Sequence, residues 1–191
     1  MTGVQTCALP ICYNSTVGGT STGAITLGAA TLVDDVTLTV GAGAANTVSM
    51  STVTGTAGGG VSNLTINTTG AVTVGAVGTD IGTITITNSG GTTFSSTVSA
   101  ATVAITSTTV GNTVSFNGNL TLTSGMTVGA GSAAYNVAIL GSSNSIAGAT
   151  TFSNTGTVTL GDGSDALAFT GGLVATAPSR VYLGGTITAA G

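Results

Sequence analysis

Along this chain, apolar residues come in pairs that flank one small or polar residue. The unit reads ITL at Ile25, VTLTV at Val36, VSM at Val48, LTI at Leu64, VTV at Val72, ITI at Ile84 and VAI at Val103. It returns as VSF at Val114, LTL at Leu120, VAI at Val137, VTL at Val158, LAF at Leu167 and VYL at Val181. A period of two in β-branched residues and Thr predicts strands with one buried face. No stretch carries helical periodicity. Turn-forming Gly, Asn and Ser separate the units, at Gly18, Gly58, Gly90, Asn117, Gly171 and Gly184. The strands are therefore short and recur about every 8 to 12 residues.

A longer similarity overlies this one. The stretches LTVGAGAANTVSM from Leu38, VTVGAVGTDIGTITI from Val72, MTVGAGSAAYNVAIL from Met126 and VTLGDGSDALAF from Val158 share a strand, a Gly-rich turn and a second strand. Such imperfect internal repetition predicts an architecture in which neighbouring repeats bury each other's faces. Two all-β solutions fit, a parallel β-helix (β-solenoid) and an antiparallel β-sandwich. Charge content separates them. Only 3% of the 191 residues are charged, five Asp and one Arg, with no Lys, Glu or His. In a parallel solenoid each winding sits about 4.8 Å above the last, so charges stack on like charges and repel, whereas Thr, Ser, Asn and Val make compatible ladders. A sandwich has no comparable reason to discard Lys and Glu from its wet face. The parallel solenoid is the expected fold, with roughly 20 residues per winding and about nine windings over residues 13 to 191.

The same composition excludes several functions. Arg180, the single cation, cannot neutralise a run of phosphates, so nucleic acid is not a partner; anionic membrane surfaces fail by the same argument. No window approaches the 18 or more consecutive apolar residues of a spanning helix. An outer-membrane barrel, whose strands also alternate, is disfavoured but not excluded: such barrels carry aromatic girdles, and only 4% of residues here are aromatic.

The phrases GTVTLGDGSDALAFTGGL, GTITITNSGGTTF and GNLTLTSG in residues 13 to 191 resemble the repetitive β-strand regions of large bacterial surface proteins, the autotransporter passengers and filamentous-haemagglutinin-like adhesins. The resemblance covers nearly the whole chain and is compositional. It implies a right-handed β-helix, exported and displayed at the cell surface or extracellularly, serving as a stalk or an adhesive surface. Those proteins are much longer, so the chain is expected to be a fragment of one. The opening stretch MTGVQTCALPIC holds both cysteines, Cys7 and Cys12, and resembles a translated sequencing adapter over residues 1 to 11. It has neither the basic n-region nor the apolar length of a signal peptide. Residues 1 to 12 are accordingly taken as a non-native or disordered leader, and residues 13 to 191 as one solenoid region.

Four kinds of candidate site follow. LGDGSDALA, Leu160 to Ala168, approximates the calcium-binding nonapeptide, in which Asp162 and Asp165 would supply oxygen ligands; the related turns at Gly41 and Gly129 lack the Asp, and a plain Asp-Gly turn is the favoured reading of these residues. Asp34 and Asp35 adjoin and would point to opposite faces of a strand, so they and Asp80 read as turn residues. Thr-x-Thr pairs at Thr37, Thr83, Thr85, Thr121, Thr157 and Thr186 are similar to the ladders of ice-binding solenoids, but their intervals along the chain are irregular. Asn-x-Ser/Thr sites at Asn14, Asn63, Asn67 and Asn119 are expected by chance in this composition. Catalysis lacks a conventional base for any Ser or Thr, and Arg180, following Pro178 in an expected turn, has no carboxylate near it in sequence. The expected function is thus structural or adhesive and not enzymatic, with a calcium-stabilised secreted module or a polysaccharide-acting β-helix enzyme as alternatives. Partners are an unidentified surface ligand, or a second copy meeting unpaired strand edges at the solenoid ends.

Overall fold

A computed structural model describes residues 15–18 and 23–190; the expected leader, with Cys7 and Cys12, lies outside the described residues, as does Asn14. The strands in chain order are Ser15–Val17 (β1), Ile25–Leu32 (β2), Thr37–Val40 (β3), Val48–Gly55 (β4), Ser62–Asn67 (β5), Val72–Gly78 (β6) and Ile81–Asn88 (β7). There follow Thr92–Phe94 (β8), Val98–Ile105 (β9), Thr113–Phe116 (β10), Leu120–Val128 (β11), Asn136–Ile139 (β12) and Ser143–Ile146 (β13). The last are Thr150–Phe152 (β14), Thr157–Leu160 (β15), Ala166–Phe169 (β16), Leu173–Val174 (β17), Arg180–Leu183 (β18) and Thr186–Ala189 (β19). Their pairings are parallel throughout, each strand bonded to those one winding before and after it. The fold is therefore an all-β solenoid of about 7 turns, without helix among the described residues, and the antiparallel sandwich is ruled out.

Each winding crosses three faces. The first face is built from the starts of β2, β4 and β6, then β8, β10, β12, β15 and β18. The second takes the ends of β2, β4 and β6, the starts of β9 and β11, then β13, β16 and β19. The third runs through β1, β3, β5, β7, the ends of β9 and β11, β14 and β17. Long strands such as β6 bend between the first two faces, and Gly75 sits at that bend: a Cβ there would collide with the Ser51 carbonyl oxygen of the winding before.

The alternating pattern puts both apolar residues of each Val-x-Val-like unit inside and turns the residue between them outward. In β3 the burial runs partly exposed, buried, partly exposed, buried, and β5 continues the same alternation. Inside the first face Leu27, Met50, Val74, Phe94, Phe116, Ile139 and Leu160 lie in one column, so a side chain packs mainly on its own equivalents. The rings of Phe94 and Phe116 stack with centroids 4.8 Å apart and planes within 2°, the separation the strand ladder imposes. Leu64, Ile66, Ile84 and Ile86 are wholly enclosed, each contributing about 1.5–3 kcal/mol of transfer free energy.

Successive windings are 19 to 26 residues apart, from Thr85 to Ala104 at the short end and Thr39 to Thr65 at the long end. That is why about seven turns stand where a uniform 20-residue repeat predicts nine. The four strand–turn–strand stretches also prove to be local likenesses: those from Leu38 and Met126 turn from the third face to the first, the one from Val72 crosses from the first face through the second to the third, and that from Val158 turns from the first to the second.

The core has polar flaws. Thr92 and Thr150 occupy inward positions, paired with Val72 and Val114 in one column and with Met126 and Leu173 in another, and the buried hydroxyl of each lacks a hydrogen-bond partner. An unsatisfied buried hydroxyl costs about 1–3 kcal/mol of desolvation, and Val is nearly the same shape. Thr92→Val and Thr150→Val are each expected to raise unfolding stability by about 1 kcal/mol, read as a higher urea midpoint with an unchanged slope.

Candidate functional site

The Asp162/Asp165 stretch forms the corner between β15 and β16. Asp165 is buried and Asp162 exposed. The Asp165 Oδ2 accepts a hydrogen bond from the Asp162 backbone N–H at 2.8 Å, closing the turn on itself. The next winding places Gly184 and Gly185 against this corner, with Thr186 N–H donating to the Asp165 carbonyl at 2.7 Å. No second carboxylate stacks there. Calcium takes 6–8 oxygen ligands, and among the described residues no three or more His, Cys, Asp or Glu side chains gather in metal-binding reach.

The other acidic residues share a corner the sequence does not reveal. Asp34 and Asp35 turn the chain from β2 to β3, the glycines 58–60 occupy the same corner one winding on, and Asp80 precedes β7 in the winding after that. Asp35, Thr79 and Asp80 have left-handed φ of 60°, 55° and 59°, a conformation Asp tolerates better than most side chains. The carboxylates of Asp34 and Asp35 lie where Cβ atoms on Gly59 and Gly60 would be, so any larger residue beneath them would have to push a carboxylate aside. That glycine rung keeps Asp80 two windings from the pair, about 9–10 Å away; Asp80 itself is half-buried, and its Oδ2 is enclosed without a hydrogen-bond partner. The signal in the sequence is the interval of two windings, invisible until the winding length is known.

Arg180 is the first residue of β18, paired with Thr157, and not in a turn; its guanidinium lies 5.7 Å from the Tyr182 ring centre. The amides of Asn63 and Asn119 tie windings together: Asn63 Oδ1 accepts from Thr83 N–H at 2.8 Å and Asn119 Oδ1 from Ser143 N–H at 3.0 Å. Asn136, Asn144 and Asn154 act likewise at their corners.

A shallow groove of about 330 Å³ crosses three windings beside the first face, lined by Ala71, Val72, Thr73, Gly90, Gly91, Thr93, Gly111, Asn112 and Thr113. Its polar groups are hydroxyls, one amide and backbone, all uncharged, so it offers hydrogen bonds to a neutral ligand and no acid, base or nucleophile activator. The remaining organised surface consists of outward columns of Thr and Ser on all three faces. No family model, curated protein or solved structure matches the chain.

Tyr135 holds the loop after β11 through its hydroxyl. It is buried, its hydroxyl donates to the Gly129 carbonyl at 2.6 Å, and burial pushes its pKa up to about 12. The ring also fills the space beside Gly131, so it pins the loop between β11 and β12.

Two outcomes follow. Asp165→Ala is expected to cost about 2 kcal/mol, the value of a charge-assisted bond to the backbone, while chelator leaves the wild-type melting temperature unchanged; a chelator-induced drop would reveal a bound cation. Because the folded pKa of Tyr135 lies above its unfolded value, its contribution is complete below about pH 10 and disappears as pH rises towards 12. Tyr135→Phe should flatten that alkaline loss in denaturant titrations.

Proposed function

We propose that this chain is a structural and adhesive repeat segment of an exported bacterial surface protein, without catalytic activity, whose contacts are made by its extended faces. The observation that carries this reading is the uninterrupted parallel stacking of windings clad in neutral hydroxyl columns. Such a body is rigid and repetitive, and its acidic groups are spent on turns. The compositional resemblance to autotransporter and haemagglutinin-like repeats supports the extracellular setting. Arg180 and the Asp residues do not converge, which favours this reading over a polysaccharide-acting enzyme.

The final winding fits the same picture. Leu183, an inward position yet 68% exposed, stands open at the end of the stack, with Val181 and Ile187 only partly covered. A further winding, from this chain's own gene or a second copy, would cover them by adding parallel strands.

The test is retention of beads coated with the purified chain on mucin-coated and bare glass, against albumin-coated beads. Several-fold greater retention on at least one surface is expected. Retention equal to albumin on both would remove the adhesive half of the proposal, and chain that stays inside the cell when expressed from its native gene would remove the exported half.

A further inference from the structure

The Thr-x-Thr pairs are irregularly spaced along the chain, yet the ladder brings many of them into line. On the third face Thr16, Thr39, Thr65, Thr85, Ala104, Thr127 and Thr151 are partners in consecutive rungs. Unequal corners absorb the unequal intervals. A second outward column runs beside it through Thr37, Asn63, Thr83 and Thr102; the β5–β7 ladder shifts by one residue between Ser62 and Leu64, and Asn63 meets β7 there through its side chain, Oδ1 accepting from Thr83 N–H. From β3 to β9 these two columns make four rungs holding six Thr, one Asn and one Ala.

The geometry of that patch is a lattice. Rungs repeat at about 4.8 Å along the solenoid axis, and outward residues two apart on a strand repeat at about 6.6 Å. Oxygen rows on a prism face of hexagonal ice repeat at a similar pair of distances. Thr presents a methyl and a hydroxyl on a β-branched carbon with few rotamers, so the array loses little freedom on contact. No ionised side chain stands on the patch; Asp34, Asp35 and Asp80 lie in the corner turns at its edge. The other two faces are less regular: the first carries the groove, Arg180 and Tyr182, and the second interrupts its central column with Gly78 and Ala168. The patch also has no Tyr, Trp or Arg to anchor a protein partner.

We propose that the third face binds ice, water molecules being held in register by the Thr array between β3 and β9. This is independent of the surface-protein reading. The experiment is partition of the purified full chain into a slowly grown ice hemisphere, with albumin as the excluded control, alongside inhibition of ice recrystallisation. Wild type and Ser49→Lys, on the first face, are expected in the ice. Thr39→Lys and Thr85→Lys, on the third, are expected to fall to the albumin level while keeping the wild-type circular dichroism spectrum. Exclusion of the wild type overturns the proposal whatever the variants do. Retention of both third-face variants, or loss with Ser49→Lys as great as theirs, overturns the assignment to this face. If one third-face variant misfolds, the other decides.

Discussion

Parallel in-register stacking is the constraint on which the rest of the molecule depends. In this arrangement the nearest neighbours of a side chain are its own counterparts one winding before and after, about 4.8 Å away. Any residue type therefore has to be compatible with whatever stands above and below it. Apolar groups satisfy the condition by packing in columns, and Phe94 on Phe116 does so ring over ring. Hydroxyls satisfy it outside, where Thr stands on Thr from Thr39 to Thr85. Charges satisfy it only when the adjoining rung is neutral. Arg180 stands on Thr157, Asp34 and Asp35 on Gly59 and Gly60, and Asp165 on Gly185. A chain under this rule has few places for a charge, and this one carries six.

The same rule determines where polar groups are useful inside the wall. Corners leave backbone donors and acceptors that no strand pairs, and buried polar groups need partners. Asn meets the need because one side chain offers both kinds of group. Asn144 accepts from Leu120 N–H and donates towards Gly141 and Ala166, and Asn154 donates to the Tyr135 and Thr157 carbonyls. These bonds join residues 19 to 24 apart in several cases, one winding, so they fix the register that the hydrophobic columns alone would leave free to slip by two residues. Where a corner donor was not at hand, the interior keeps an unpaired hydroxyl, as at Thr92 and Thr150.

Much of this was legible in the sequence. Period-two alternation located the strands because burial on one face leaves a local mark, and scarcity of charge identified parallel stacking because repulsion between rungs is a global cost. Register was not legible, for a physical reason: a corner tolerates extra residues at little cost, since loop closure depends weakly on length. Windings of 19 and 26 residues therefore coexist, and any fixed repeat length miscounts them. The nearness of Asp80 to the corner of Asp34 and Asp35, the position of Arg180 at a strand start and the alignment of the Thr columns all depend on register, so none could be read from intervals. The turn role of Asp162 and Asp165, by contrast, needs only three residues of separation and was visible at once.

The scarcity of titratable side chains and the regularity of the surface have a common origin. An active site needs unlike groups held close together, and parallel stacking favours like groups held in rows. Corners are where the rows end and unlike residues meet, yet here the Asp165 carboxylate is engaged with backbone and those of Asp34 and Asp35 are seated on glycine. What remains is the face, where repetition itself is the structural resource. A row of identical hydroxyls discriminates poorly between small molecules but matches anything that is itself periodic. The groups such a surface suits best are extended and uncharged, and in this molecule the face with the most nearly unbroken row is the third.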